Sequence, residues 1–272
     1  MRPDGPRSSA GTAELANFVA AHAPLFVITG AGCSTASGIF DYRDENGDWK
    51  RKPPVELRDF LASESMRQRY WARSMLGWPR FAAAEPNATH SALAEMTAMG
   101  YVETVVTQNV DDLHQRAGQR RLITLHGSLA SVTCIDCGVS MPRSDVQHWL
   151  RAHNEPLTDA WAPAPDGDAD LEGEDVSRFK VPMCERCGGI VKPDVVFFGD
   201  SVPKARVAAA RSALGRSRGL LIVGSSVMVF SSFRFCREAH GRGLPVAAVN
   251  RGRTRADDLL RLSIRRDTST TM

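Results

Sequence analysis

Four polar side chains between residues 107 and 126 carry the most chemistry in this chain: Gln108, Asn109, Asp111 and His126. They offer an amide pair, a carboxylate, and an imidazole whose ordinary pKa lies near neutral pH. Taken singly, each reads as a strand-end turn residue, with Asp111 capping a helix from Asp112 to Ala117 and His126 a satisfied turn histidine. Taken together they read as a site. Two further groups add to it. Gly30-Ala31-Gly32 is a turn where backbone N–H groups can approach a phosphate. A run of small hydroxyl side chains follows, then Asp41, Tyr42 and Arg43, and a guanidinium such as Arg43 grips pyrophosphate oxygens as a fork. Finally, Cys134-x-x-Cys137 and Cys184-x-x-Cys187 each form a knuckle able to present two thiolates to one tetrahedral ion.

These groups need strands to position them. Tyr101 to Val106 and Leu122 to Leu125 read as strands that end on Gln108 and on His126. Leu25 to Thr29 is an apolar strand of the parallel-sheet type, entered after a helix from Glu14 to Ala23 and ending on the glycine turn. Gly219 to Val223 and Leu244 to Val249 end on Gly224-Ser225-Ser226 and Asn250-Arg251-Gly252. The apolar core of Lys192 to Asp200 reads as another strand, and Pro203 opens a helix after it. Helices fill the intervals: Phe60 to Ala84, broken at Gly77-Trp78-Pro79; a helix opening at Asn87 and stopping at Gly100; Ser231 to Ala239; and a short one from Asp257 to Leu262 before a polar tail. This alternation predicts an α/β fold, a doubly wound parallel sheet of Rossmann type, whose strand ends form a ligand rim. The glycine turn departs from the dinucleotide fingerprint. Thr35 stands where its third glycine belongs, and no acidic residue closes a second strand about twenty residues on.

The cysteine pairs bracket a segment, Ala152 to Lys180, rich in Pro, Asp, Glu and Gly, expected as a flexible surface insertion. The expected organisation is therefore 1–127 with 191–272 as the nucleotide-binding domain, and 128–190 as a small zinc module carrying that insertion at about 152–180. One structural Zn²⁺ bound by four thiolates has no open coordination position, so it takes no part in catalysis. The charged run Asp44 to Pro54 reads as a mobile loop over the ligand. At 272 residues, 43% apolar, with a net charge of +3 and no block of like charge, the chain fits one large domain with a small insertion and no nucleic-acid arm. No apolar run reaches membrane-spanning length and the N-terminus has no secretory pattern, so a cytoplasmic protein is expected, and it is expected to be a monomer.

With these residues in place, the chain resembles the sirtuins, NAD-dependent protein-lysine deacylases. The resemblance rests on residues 30–43, 107–118, 125–128, 192–200, 224–226 and 249–252 together with both cysteine pairs, in family order over nearly the whole chain. Residues 67–79 and 254–259 resemble the class II branch that includes the mitochondrial lipoamidase-type sirtuin. The resemblance implies NAD across the rim, with its pyrophosphate on the backbone of Gly30, Ala31 and Gly32. It places Asn109 and Asp111 on the nicotinamide side and Gln108 near the ribose. It adds Ser34, Thr35, Asp41, Tyr42, Arg43, Val110, Gly224, Ser225, Ser226, Asn250, Arg251, Gly252 and Thr268 to the cofactor site. It makes His126 the general base, with Asn109 and Gln108 beside it, and the products free lysine, nicotinamide and O-acyl-ADP-ribose. An acyl-lysine peptide would add as a strand beside Val195, Phe197, Phe198 and Gly199. Phe40 stands where the family usually has proline, which would put a ring beside the nicotinamide pocket. Tyr70 and Arg73, three apart on a helix from Ser65 to Met75, resemble the Tyr-x-x-Arg with which the desuccinylase branch reads a dicarboxylic acyl group. Two rival classes use the same features differently: a protein ADP-ribosyltransferase, and a non-enzymatic zinc module binding nucleic acid.

Overall fold

A computed structural model describes residues 7–50, 54–157, 162–163, 169–171 and 175–272. Its centre is a six-stranded sheet in which every neighbouring pair is parallel. Chain order runs α1 (Arg7–His22), β1 (Leu25–Thr29), α2 (Leu57–Ala62), α3 (Glu64–Ala82), α4 (Ala88–Ala98), β2 (Val102–Thr107), α5 (Leu113–Arg116), β3 (Leu122–Thr124), β4 (Gly127–Cys134), β5 (Ser140–Pro142) and α6 (Arg143–His153). The short strands β6 (Ala162–Pro163) and β7 (Ala169–Asp170) follow, then β8 (Val191–Val195), α7 (Lys204–Gly215), β9 (Gly219–Val223), α8 (Phe230–Gly241), β10 (Val246–Val249) and β11 (Leu262–Ile264).

The strand order across the large sheet is β11-β10-β9-β1-β2-β3. Counting its strands along the chain, this is the 3-2-1-4-5-6 order of the Rossmann fold, with the order reversing between β1 and β9. Successive residues of β1 enter different cores, as the pleat dictates. Phe26 and Ile28 pack with α7 and α8, while Leu25 and Val27 pack with α1 and α4. Both faces are covered, which is why these strands read as continuous apolar runs.

A second sheet, β5-β4-β8, is antiparallel and pairs β8 with β4, so the run after Lys192 is not part of the parallel sheet as its sequence suggested. This sheet shares a core with α2, α3 and α6, where Phe60, Trp71 and Met75 meet Val132, Leu150 and Val191. Leu171 and Phe179 are buried in the same core, so those parts of the expected surface insertion are packed.

Two other expectations change. The long helical stretch breaks at Ser63, whose hydroxyl caps α3 by accepting from the Met66 N–H (3.3 Å), and not at Pro79. Pro79 lies inside α3 and leaves the Met75 carbonyl without its helical donor. The side-chain amide of Gln147 on α6 donates to that carbonyl at 2.8 Å, and the buried Arg143 donates to the Ser74 carbonyl at 3.2 Å, so the helix continues across the proline. At the other end, the expected helix to Leu262 is a single turn, Asp257–Leu259, followed by the edge strand β11, which the alternating, arginine-rich sequence disguised. Among the described residues no helix is long and apolar enough to cross a membrane.

Candidate active site

The turns after β1 and β9 interlock at the point where the strand order reverses. The Gly32 N–H donates to the Gly224 carbonyl at 2.8 Å, and the Gly30 N–H points at the Val223 carbonyl at 3.4 Å. Two of the three N–H groups expected on a pyrophosphate are thus used inside the fold. The approach is too close for side chains: a Cβ on Gly224, whose φ is +59°, would lie 2.3 Å from the Cys33 nitrogen. Beside this pair opens a cleft of about 1280 Å³.

The ends of β2 and β3 supply its polar wall. The Gln108 side chain donates to the Ser225 hydroxyl (2.7 Å) and the Thr29 carbonyl (3.2 Å). The Asn109 amide donates to the Gly30 carbonyl (3.0 Å) and to Ser34 Oγ (3.1 Å), and the Ser34 hydroxyl donates to Asp111 Oδ2 at 2.6 Å. Asp111 Oδ1 accepts from the Leu113 N–H at 3.0 Å, so this carboxyl also caps α5. Burial pushes the Asp111 carboxyl above the usual range, opposed by the hydrogen bonds from Ser34 and Leu113. His126 lies between β3 and β4. Its Nδ1 meets the Gln108 carbonyl at 3.1 Å and its Nε2 meets Ser231 Oγ at 2.8 Å. Burial pushes the imidazole down to about 4.

Of the cofactor-side residues predicted from the sequence, all but Ser34 line this cleft; Ser34 is buried behind Asp111. Thr268 donates to the Gly32 carbonyl (3.3 Å), the Asn250 amide to the Gly252 carbonyl (2.9 Å), and Arg251 pairs with Asp267 (2.7 Å). Arg43 lines the cleft, yet its guanidinium is held by the Gly47 carbonyl (2.7 Å) and stacked on Trp49, 4.0 Å from the ring centre. The loop that follows was expected to be mobile. From Asp44 to Lys50 it is a hydrogen-bonded turn, tied to the neighbouring loop by the Arg253 N–H on the Glu45 carbonyl (2.8 Å). Residues 51–53 of that expectation lie outside the described residues.

On the opposite wall, Val195, Phe197, Phe198, Gly199 and Tyr70 line the cleft. Tyr70 packs between Phe60 and Phe197, at 5.3 and 5.4 Å. Arg73 follows Tyr70 by three residues in the same helix, α3. Phe40, between the cleft residues Ile39 and Asp41, is 47% exposed and lies under the Arg80 guanidinium at 5.5 Å.

A model of the Sir2 family matches residues 30–231. The chain belongs to the Sir2 family. It is 57% identical to NAD-dependent protein deacetylase 2 of Bradyrhizobium diazoefficiens over 92% of each chain. It is 55% identical to the NAD-dependent protein deacetylase of Bordetella bronchiseptica, over 93% of this chain and 92% of that one. Among solved structures it is similar to a complex of Sir2 with a p53 peptide and NAD⁺, at 27% identity and a TM-score of 0.75 over 94% of this chain and 93% of the other. It is also similar to Sir2Tm bound to a propionylated peptide, at 27% identity and a TM-score of 0.74 over 95% and 94% of the two chains.

In this Sir2 chain the four cysteines converge as their spacing predicted. The sulfur atoms of Cys134, Cys137, Cys184 and Cys187 all lie within 4.8 Å of one another. The Cys134–Cys187 and Cys137–Cys184 separations are 3.6 and 3.7 Å. A tetrahedral Zn²⁺ with Zn–S bonds of about 2.3 Å sets sulfurs about 3.8 Å apart, so the donor set fits that ion.

Among the residues of the sirtuin cleft that escaped the sequence reading are Trp49, Ser231 and Val227. Trp49 stacks on Arg43 and meets Phe198 edge-on at 5.4 Å, joining the two walls. Val227 holds φ +44°, rare for a β-branched residue, with its N–H on Ser225 Oγ (3.1 Å). The sequence of a helix start does not say which hydroxyl faces a histidine 105 residues away.

Proposed function

We propose that this protein is an NAD-dependent protein-lysine deacylase that transfers the acyl group to ADP-ribose. The observation that carries the reading is His126. A carbonyl can only accept a hydrogen bond, so the contact with Gln108 places the imidazole proton on Nδ1 and leaves Nε2 unprotonated, the nitrogen that can act as a base. Burial keeps the ring neutral at working pH, the protonation state that can take a proton from a ribose hydroxyl. Bound NAD would supply an electrophilic ribose carbon once nicotinamide leaves. Asn109 and Asp111, fixed through Ser34 and the Gly30 carbonyl, would hold the nicotinamide side, and Gln108, with Ser225, the ribose side. Val195 to Gly199 would receive the acyl-lysine peptide, and the four-cysteine site would hold the structural Zn²⁺ that fixes β4 to β8 nearby. The relatives named deacetylases support the reaction type.

We propose further that Tyr70, on the cleft wall, and Arg73, three residues on in α3, read the far end of the acyl group. Membership of the class II, lipoamidase-type branch is proposed on residues 67–79 and 254–259. A cytoplasmic location is proposed because none of the six cysteines is in a disulfide, which suits a reducing compartment, and action as a monomer is proposed with it. The test is His126→Ala. It should bind NAD and fold as the wild type does but lose deacylation of acyl-lysine peptides by mass spectrometry; near wild-type turnover would reject the reading.

A further inference from the structure

We infer that Ser231 is a positioning residue for the His126 base. The inference rests on the reading of His126 given above and adds a second group to it.

Ser231 lies in the first turn of α8, on the loop-to-helix junction that follows the Gly224 turn. His126 comes from the other side of the cleft, between β3 and β4. Their side chains meet at 2.8 Å. Both line the cleft. The Gln108 carbonyl on Nδ1 fixes the tautomer, so Nε2 accepts and the Ser231 hydroxyl donates. The imidazole is then held at both nitrogens by groups from separate elements, one from the end of β2 and one from α8. The adjacent Ser232 does something different: its hydroxyl donates to the Val229 carbonyl at 3.1 Å, closing the first turn of α8. Helix formation therefore explains Ser232 but leaves Ser231 unexplained. An imidazole held at Nδ1 alone can still rock about that bond. The contact with Ser231 limits this motion and keeps Nε2 aimed into the cleft, where a substrate hydroxyl replaces the serine as its partner. Exchanging one hydrogen bond for another at the same nitrogen requires no reorganisation of the ring, as preorganised bases need.

The test is made on the full chain. In unliganded protein, the ring nitrogens of His126, assigned by their disappearance in His126→Ala, are followed by nitrogen-15 NMR. The wild type should show Nδ1 protonated and Nε2 as a hydrogen-bonded acceptor. In Ser231→Ala the Nε2 signal should move to that of an unbonded acceptor while Nδ1 stays protonated. Ser231→Thr should restore it, and Ser232→Ala should leave it unchanged. Steady-state kinetics should show kcat reduced about fivefold in Ser231→Ala, the equivalent of one ordinary hydrogen bond, with KM for the peptide moved less than about twofold. A protonated Nε2 in the wild type would overturn the inference without any variant. An unmoved Nε2 signal in Ser231→Ala, or turnover equal to or faster than wild type, would overturn it too. Retained activity in His126→Ala rejects the function reading instead, and the NMR outcome separates the two failures.

Discussion

Replacing Gly224 with alanine tests the interlocked turns that floor the cleft. Two costs apply. At φ +59° an L-residue sits in the left-handed region, which costs about 1 kcal/mol relative to glycine. The new Cβ would also lie 2.3 Å from the Cys33 nitrogen and 2.6 Å from the Gly32 carbonyl carbon, both backbone atoms held by the Gly32–Gly224 hydrogen bond. Relieving such an overlap typically costs about 1–3 kcal/mol more. The sum, about 2–4 kcal/mol, corresponds to a Tm lower by about 4–16 °C for a domain of this size. Gly38→Ala is the matched comparison. Its φ is +81° but nothing lies within 4 Å of the new Cβ, so only the conformational cost applies and Tm should fall by about 2–4 °C. Calorimetry on both variants, with NAD titrated into each, reads the difference. NAD affinity should fall in Gly224→Ala, where the turn must move, and hold in Gly38→Ala. Equal Tm shifts in the two variants would refute the claim that close backbone approach, and not left-handed strain alone, selects glycine at 224.

Acid should unfold the protein through its buried histidines. Burial lowers His90 and His126 to about 4 and His114 to about 3. Their unfolded value is near 6.5, so stability is complete above that pH and is lost as pH falls toward 4. Asp111 and Asp112, raised by burial, take up protons in the folded state and offset part of this. Urea midpoints should therefore drop between pH 6 and 4.5 with a net uptake of about one to three protons on unfolding; a flat profile would contradict the burial assigned to these rings. Metal analysis should find one zinc per chain bound by Cys134, Cys137, Cys184 and Cys187, and chelation should lower Tm by loosening the small sheet; zinc-free purified protein of undiminished Tm would contradict it. Arg73→Met should weaken activity on dicarboxylic acyl-lysines about ten- to a hundred-fold and spare acetyl-lysine, the loss of one charge-assisted hydrogen bond, whereas equal losses on all acyl types, or none, would leave Tyr70 and Arg73 a structural role.

The sequence by itself determined five of the six strands of the large sheet, their rim and the zinc donors, and missed only the edge strand β11. Leu25–Thr29, Val102–Thr107 and Gly219–Val223 are apolar and short, and each is followed by glycine or small polar residues; that pattern is local, and it survives into the structure. The two Cys-x-x-Cys spacings are local in the same sense. What depended on distant partners was decided only in the tertiary structure. Pro79 breaks a helix unless something satisfies the carbonyl it strands, and the satisfying amide belongs to Gln147, on another helix. Tyr70 reaches the cleft wall packed against Phe60 and Phe197, partners that its own helix does not supply. Ser231 carries no sequence signal for its role, since its partner lies across the fold. A hydrogen bond is satisfied by whatever group arrives within about 3 Å, and which group arrives is a property of the packed chain, not of any segment read alone.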